Sequence, residues 1–151
     1  MIRSILTFTA ALFCLAGAAF AQRAVTPLEV RSGETSHRFT VEVADTPDAV
    51  QQGLMFREEL APDAGMLFDF GVTRPASMWM KNTLIPLDML FIKEDGQVVA
   101  IARNAQPHSL RSISPGVPVR GVLEIPGGRA QELGIQPGDR IIHPVFGNTG
   151  G

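Results

Sequence analysis

Chemically capable side chains are concentrated between residues 75 and 91. This stretch contains the only Trp of the chain, Trp79, one of its two Lys, Lys81, and a carboxylate, Asp88, set among apolar residues. An indole can stack on a sugar or another planar group, and a carboxylate beside a cation can act as a general base or anchor a polar ligand. We therefore predict a site here, with these ligand-binding candidates: Arg57, Trp79, Lys81, Asn82 and Asp88.

Asp88 shares one face of a predicted strand with Leu90 and Ile92. On an apolar face a carboxylate must be ion-paired, hydrogen-bonded by backbone N–H groups, or protonated with a raised pKa, because burial of an isolated charge is costly. We favour a structural ion pair with Lys81 or Arg57 that fixes the bend between two strands. A catalytic or ligand-holding role for Asp88 remains the alternative.

Glu124 raises the same question, because it lies inside the apolar strand pattern of residues 122–125. A partner for Lys81 or Arg57 is its simplest explanation. If the protein is an enzyme, we expect an envelope-associated hydrolase with Asp88 or Glu124 as acid or base. A glycosidase would need two carboxyl groups that face each other across a cleft.

A soft-metal site is a third possibility, since Met78 and Met80 flank Trp79 and share a face if the chain is extended. Thioethers suit Cu(I). We favour core packing for both residues, because Met fills irregular gaps well. We accordingly assign no metal and no cofactor.

Other catalytic schemes lack their residues in this sequence. It contains no Gly-x-Ser-x-Gly elbow, no P-loop and no dinucleotide fingerprint. The three His have no metal-ligand spacing, and we expect each at the surface or in a turn: His37, His108 and His143.

The first 21 residues have the pattern of a secretory signal. Arg3 precedes an apolar run, and Ala19-Phe20-Ala21 matches the small-x-small cleavage site. We predict a mature chain that begins at Gln22, has lost the only cysteine, Cys14, and is periplasmic or secreted. No later segment has the length of a membrane span.

Charge excludes one class of partner. The formal net charge is −2, and Arg residues are scattered without a basic face, so we predict no nucleic-acid binding. A small polar ligand, or an envelope protein or glycan, is the expected partner. We therefore prefer a small extracytoplasmic binding module with a cleft near the bend between Trp79 and Asp88, rimmed by the loop of residues 106–118, whose order the sequence leaves open.

Short strands with close turns dominate the rest of the chain. A Thr46 N-cap, Pro47 and a terminal Gly53 predict the main helix, Asp95-Gly96 predicts a hairpin, and residues 140–145 predict the last strand. The predicted core is Phe39, Val41, Val43, Met66, Phe68, Phe70, Leu87, Met89 and Phe91.

These elements predict a single mainly β domain, a small antiparallel β-barrel or sandwich with one or two short helices. We divide the chain into a signal peptide (1–21), an N-terminal hairpin (22–42), a β domain (43–145) and a flexible tail (146–151).

A set of short motifs carries a family resemblance. They are Gly53-Leu54-Met55-Phe56-Arg57, Gly65-Met66-Leu67-Phe68, Trp79-Met80-Lys81-Asn82-Thr83, Pro86-Leu87-Asp88, Val122-Leu123-Glu124, Leu133-Gly134-Ile135 and Gly138-Asp139. In this order they resemble the bacterial and archaeal family called domain of unknown function 192, over roughly residues 43–142. The resemblance implies a compact, mainly β, barrel- or sandwich-like domain, often behind a signal peptide, and implies no settled activity.

Overall fold

The computed structural model describes residues 23–150, and seven strands in this range form one curled sheet. The strands are β1 (Val25–Ser32), β2 (Thr35–Ala44), β3 (Ala64–Arg74), β4 (Leu87–Ile92), β5 (Val98–Ala105), β6 (Val119–Pro126) and β7 (Arg140–Ile142). Two short helices, α1 (Pro47–Gln52) and α2 (Arg129–Glu132), and a 3₁₀ turn (Pro144–Phe146) complete the fold. The predicted mainly β class is confirmed. The predicted leader and mature start lie outside the described residues.

The strand order across the sheet is β5-β4-β6-β3-β2-β1-β7. All neighbours are antiparallel except β2 and β3, which are parallel. A parallel pair needs a crossover connection, and residues 45–63, which include α1, provide it. Because β2 runs through position 43, the hairpin of residues 22–42 and the rest of the domain share one sheet.

The two edges of the sheet meet at one end of the molecule. Beside the predicted Asp95-Gly96 turn, the Val98 N–H donates to the Asp139 carbonyl and the Ile141 N–H donates to the Gly96 carbonyl, each at 2.8 Å. These bonds join the turn between β4 and β5 to β7. The half-barrel is thereby closed at that end.

Apolar side chains form a cluster on each face of the sheet. The first core cluster takes residues from all seven strands and fills the inside of the curl: Leu28, Val30, Phe39, Val41, Leu67, Leu90, Ile92, Val98, Leu123, Ile125, Ala130, Ile135, Ile141 and Phe146. The second core cluster lies on the opposite face of β3, β4 and β6: Ala44, Ala49, Leu54, Met66, Phe68, Ala76, Met80, Leu87, Met89, Phe91, Ala105, Val119 and Val122. Of the predicted core, only Val43 and Phe70 are half-buried rather than buried.

The second core cluster is covered by α1 and by residues 75–85. The predicted caps position α1, since the Thr46 hydroxyl accepts the Ala49 N–H at 3.2 Å and Gly53 turns the chain with φ of 48°. Ala49 is buried on the inner side of this helix. The helix therefore covers the sheet with one apolar face and leaves polar side chains at its rim.

The C-terminal end differs from the prediction in two places. The last strand stops at Ile142 rather than residue 145, because Pro144 begins the 3₁₀ turn. His143 caps this turn, one of its two expected positions, but it is buried rather than at the surface: it is 3% exposed, its Nδ1 accepts the Val145 N–H, and its Nε2 lies 2.9 Å from the Thr26 hydroxyl. Burial lowers the pKa of His143, which keeps the ring neutral in this role.

Part of the predicted flexible tail is anchored. Phe146 is 8% exposed and packs in the first core cluster. The Asn148 side chain accepts the His143 N–H at 3.0 Å and donates to the Ile141 carbonyl at 2.8 Å. In residues 23–150 no helix is long and apolar enough to cross a membrane.

Candidate functional site

Glu124 lies in the middle of the sheet face that carries the second core cluster. It is opposite Met66 on β3 and opposite Met89 on β4, and both neighbours are fully buried. Glu124 itself is 4% exposed. A carboxyl group is therefore set between two thioether side chains on an apolar face.

The Glu124 carboxyl borders a narrow cavity of about 30 Å³ under α1. This volume has room for about one or two water molecules. Its lining comes from α1, the turn after it, β3, β6 and the covering segment: Val50, Gln51, Gln52, Gly53, Leu54, Met55, Phe68, Met78, Trp79, Lys81, Thr83 and Glu124. Five of these twelve residues are polar or charged, so the lining is mixed.

Within residues 23–150 the Glu124 carboxyl has no hydrogen-bond or ion-pair partner at contact distance. Lys81 and Arg57, the partners predicted from the sequence, do not pair with it. Burial raises the pKa of Glu124 to about 8, because the ionised form loses its hydration without gaining a counter-charge. The group is therefore mostly protonated at neutral pH.

Trp79 borders this cavity with a partly exposed side chain. The indole is 43% exposed, and Lys81 Nζ lies 5.0 Å from its ring centroid, in a cation–π arrangement. Trp79 also borders two larger concavities, one of about 340 Å³ with Asp48, Lys81 and Asn82 and one of about 270 Å³ with Phe70 and Arg74. The exposed indole and Glu124 thus border the same narrow cavity.

Backbone hydrogen bonds fix the segment that carries Trp79. Asn82 adopts a left-handed conformation with φ of 53°, and its carbonyl accepts the Phe56 N–H at 2.8 Å, which ties the bend to the turn after α1. Met78 and Ile113 exchange N–H···O bonds of 2.8 and 2.9 Å. Met80 donates to the Ser109 carbonyl at 3.0 Å. The loop of residues 106–118 is therefore bonded to the segment and supports it.

Asp88 is placed on the other face of the sheet. It pairs with Ile125 rather than Glu124, and its carboxylate accepts three backbone N–H groups: Asn104 at 2.7 Å, Gly128 at 3.0 Å and Ala130 at 2.8 Å. The predicted ion pair of Asp88 with Lys81 or Arg57 is wrong. Backbone donors, the second of the alternatives, stabilise the buried charge, and Asp88 joins β5 to the start of α2.

Arg57 pairs with a carboxylate that the sequence interpretation did not consider. Its Nη1 and Nη2 each lie 2.8 Å from an oxygen of Glu42, and Arg23 lies 3.8 Å from the same group. The hydrogen bond to Glu42 raises the pKa of Arg57. A concavity of about 550 Å³ surrounds this pair, but its two central charges already satisfy each other. The unpartnered group at the Trp79 cavity makes that smaller cavity the stronger candidate.

The positions of the carboxyl groups limit which catalytic mechanisms the site could support. Asp88 and Glu124 project from opposite faces of the sheet, so they cannot act across one cleft. Glu42 shares a face with Glu124 but is two strands away, roughly 10 Å by strand spacing, and is bound to Arg57. Residues 23–150 also contain no group of three His, Cys, Asp or Glu side chains arranged to hold a metal ion.

The structure thus brings together four of the residues singled out from the sequence, Trp79, Lys81, Asn82 and Glu124, and separates Asp88 and Arg57 from them. Met78 borders the cavity, whereas Met80 is fully buried beside it. Sequence reasoning missed Met55 and the glutamines of α1. Met55 lies in a quoted motif, but only the folded crossover shows that it borders the same cavity as Glu124.

Fold and cavity together define a small, mainly β module with a buried carboxyl below a single exposed indole. The chain belongs to the family DUF192, described as "Uncharacterized ACR", whose model matches residues 28–143. The resemblance noted in the sequence is confirmed. A comparison with curated proteins finds no match.

Two solved structures are similar over most of their length. One, from Sinorhizobium meliloti 1021, is described as a "putative transcription regulator"; it is 48% identical, with 82% of this chain and 96% of that chain covered and a TM-score of 0.80. The other, a protein of unknown function from Novosphingobium aromaticivorans DSM 12444, is 38% identical, with 83% and 89% covered and a TM-score of 0.80.

Proposed function

We propose that the protein is an exported binding module whose ligand lies against Trp79 and reaches Glu124 through the narrow cavity. One observation carries this proposal: a carboxyl group that is 4% exposed borders a cavity and has no partner within residues 23–150. The Glu124 oxygens are not sealed off, because His37 Nε2 is the only fully buried side-chain N or O atom without a partner among residues 23–150, and the carboxyl is therefore open to a ligand in the cavity.

The chemistry of the site suits a ligand with a planar or ring-shaped body and a polar end. The exposed face of Trp79 offers a stacking surface, and the adjoining concavity of about 340 Å³ has the size of a small-molecule site. A protonated Glu124 can both donate and accept a hydrogen bond. A ligand that supplies the missing partner gains this bond without having to remove a competing protein group.

Export is the second part of the proposal, supported by the leader pattern of residues 1–21. We expect the exported protein to begin at Gln22. Intact-mass measurement on protein collected outside the cytoplasm checks this, and a mass that retains residues 1–21 contradicts it.

A hydrolase is the alternative, and it now depends on Glu124 alone. The raised pKa of Glu124 favours a general acid, but a two-carboxyl mechanism has no second group facing it among the described residues. A regulator of transcription, the description of the Sinorhizobium relative, has less support. The helices in residues 23–150 span only Pro47–Gln52 and Arg129–Glu132, and the net charge is −2.

Tryptophan fluorescence provides a site-specific test, because Trp79 is the only Trp and the chain has no Tyr. We would screen monosaccharides, amino sugars, amines and short peptides by thermal shift, and titrate each hit while following Trp79 emission. Binding should be lost in Trp79→Ala and weakened in Glu124→Gln.

Leu110→Ala is the matched control, since Leu110 is 70% exposed and borders none of the cavities around Trp79. It should bind as the wild type does. Hits whose shift survives in Trp79→Ala would contradict the assignment of this site.

A further inference from the structure

The sheet has an open edge at β5. This strand is the last in the strand order on its side, and β4 is its one neighbouring strand among residues 23–150. Residues 138 and 139 reach only the start of β5, where the Val98 N–H donates to Asp139 and the Val98 carbonyl accepts the Gly138 N–H, each at 2.8 Å. Beyond Val98 the outer side of β5 has no strand beside it in the described range. An edge of this kind presents backbone N–H and C=O groups that an added strand can pair with.

The residues along this edge do not block such pairing. Residues 99–102 are Val, Ala, Ile and Ala, and all four are half-buried. Native proteins commonly protect an exposed edge with Lys, Pro or a bulge. Here the interruption comes only at Asn104, which has φ of 51° and whose N–H is bonded to Asp88. Residues 99–103 therefore form a short open edge.

A concavity of about 430 Å³, which we call the edge groove, lies beside the end of β5. It is bordered by residues 102–106 on one side and by Ser109 and residues 111–114 on the other. Side chains of consecutive strand residues point to opposite faces, so a concavity that borders five consecutive residues lies along the backbone edge and not over one face. The edge groove therefore separates the edge of β5 from the loop of residues 106–118.

The loop wall of the edge groove also offers backbone groups. Ile113 uses both its N–H and its carbonyl to bond Met78. Backbone groups of alternate residues in an extended chain point to opposite sides, so those of Ser112 and Ser114 point away from Met78. Neither serine N–H has a partner within residues 23–150. Both serines border the edge groove, so it has a wall with unpaired backbone groups on each side.

The side chains around the edge groove favour an acidic ligand. They include Arg103 and Arg111 and no Asp or Glu. Neither arginine has an ion-pair partner among the described residues. The hydroxyl oxygens of Ser109 and Ser114 accept backbone N–H groups at 3.3 and 3.4 Å. Their own protons therefore remain available to a ligand that accepts hydrogen bonds.

We propose that the edge groove binds an extended acidic segment of another protein, which adds as a strand between β5 and residues 112–114. Strand addition obtains affinity from main-chain hydrogen bonds and specificity from the side chains beside the edge. The positive charge of Arg103 and Arg111 selects carboxylates. This surface shares no lining residue with the three cavities that Trp79 borders, and the inference does not rest on the proposed function.

A second copy of this chain fits the edge groove less well than a separate segment does. A strand between two walls needs both of its edges free, whereas β5 of a second copy is already paired with its own β4. That copy would also bring its own Arg103 toward a groove that is already positive. Like charges brought together at a strand pair are destabilising.

The probe is a fluorescein-labelled heptapeptide in which Glu and Val alternate, titrated into the full chain while fluorescence anisotropy is followed. Its carboxylates lie on one side of an extended strand. We expect one peptide to bind per chain, and the same peptide with Lys in place of Glu to bind at least about tenfold more weakly. Amide exchange at Ser112, Ser114 and residues 99–103 should slow when the Glu peptide is bound.

Backbone methylation of the probe tests the two walls separately. One peptide carries N-methyl groups at its odd positions and a second at its even positions. Because alternate N–H groups of a strand point to opposite sides, each peptide loses its bonds to one wall. Each should therefore bind at least about tenfold more weakly than the unmethylated peptide.

Arg111→Glu tests the charge on the loop wall and should weaken binding of the Glu peptide at least about tenfold. Arg38→Glu is the matched control, since Arg38 is also an exposed arginine without an ion pair in the described range but does not border the edge groove. It should bind as the wild type does. Melts of both variants without peptide verify that they fold.

The inference is overturned by absent binding, by equal binding of the Lys peptide, or by equal losses in Arg111→Glu and Arg38→Glu. Full affinity of both methylated peptides would show that charge alone holds the probe. Loss in only one of them would show addition to a single edge and would overturn the position between two walls. Sedimentation should show a monomer, and a dimer that the Glu peptide competes with would show that a second copy fills the edge groove instead.

Discussion

Two buried carboxyl groups lie on neighbouring strands and are held in opposite ways. Asp88 accepts three backbone N–H bonds, whereas Glu124 has no partner within residues 23–150. The first arrangement stabilises a charge, and the second favours a proton. Asp88 therefore contributes to the fold, and Glu124 is the group left available to a ligand.

Replacement of Glu124 by Gln should stabilise the protein at neutral pH. The folded pKa is about 8 and the unfolded value about 4.5, so between these values only the unfolded state loses its proton, and stability falls as pH rises. We expect Glu124→Gln to be more stable by roughly 3 kcal/mol near neutral pH. Denaturant melts check this, and the difference should vanish below the unfolded pKa. A constant difference down to acidic pH would show that folding does not raise the pKa of Glu124.

Asp88→Asn should be strongly destabilising, because an amide cannot accept all three backbone N–H groups and turns a donor toward one of them. We expect a loss of roughly 2 to 4 kcal/mol in the free energy of unfolding. Lys81→Met should add to it independently, within about 0.5 kcal/mol, since Lys81 lies over Trp79 and not beside Asp88. Strong non-additivity in the double mutant would restore the ion pair that the sequence had suggested.

At the scale of elements, the covering segment of residues 75–85 depends on a loop for its position. The loop of residues 106–118 carries little regular structure, yet Met78 and Ile113 exchange two backbone bonds and Met80 is bonded to Ser109. Loops of such length in compact domains are often functional. Here the loop holds the indole over the cavity.

Ile113→Pro tests this support, because proline removes the N–H that Met78 accepts. Amide exchange at Met78 should become roughly two- to tenfold faster, the equivalent of one hydrogen bond, and Trp79 emission should shift to the red. Val117→Pro is the control, since Val117 is exposed and its N–H has no partner in the described part of the chain. If both substitutions have equal effects, proline acts by stiffening the loop in general and not by removing the hydrogen bond from the Ile113 N–H to Met78.

Much of the secondary structure was predictable because helix caps and tight turns depend only on residues that are close together in the sequence. The Thr46 cap, Pro47 and Gly53 bound α1, and the Asp95-Gly96 turn joins β4 to β5, as predicted. The bend at Asn82 was also readable, since Asn tolerates the left-handed conformation that it adopts.

Partners of buried charges were not predictable in the same way. The Asp88 carboxylate accepts hydrogen bonds from the backbone N–H groups of residues 104, 128 and 130. No pattern of side chains in the sequence identifies these donors. Arg57 is paired with Glu42 because the parallel crossover brings them together. For Asp88, proximity in the sequence had suggested Lys81 as the partner. The long-range strand pairing instead places Asp88 opposite Ile125, away from Lys81.

At the scale of the whole molecule, closure of the sheet depends on a glycine at the turn between β4 and β5. Gly96 has φ of 91°, and an added Cβ would collide with the Ile141 carbonyl that lies against it. Gly116 has φ of 77° with open space around it, so a substitution there measures the cost of the backbone conformation alone. The two positions form a matched pair.

Gly116→Ala should cost about 1 to 2 kcal/mol from left-handed strain alone, whereas Gly96→Ala should cost roughly 1 to 3 kcal/mol more because β7 must move. Urea melts of both variants measure the difference. Equal losses would show that contact between the edges of the sheet adds nothing to stability.

The position of β7 makes completion of the interior depend on a short stretch of chain. Strands β1 to β6 are complete at Pro126, but without residues 140–146 the first core cluster lacks Ile141 and Phe146, and β1 lacks its outer neighbour. A chain that stops before Arg140 therefore cannot complete the first core cluster.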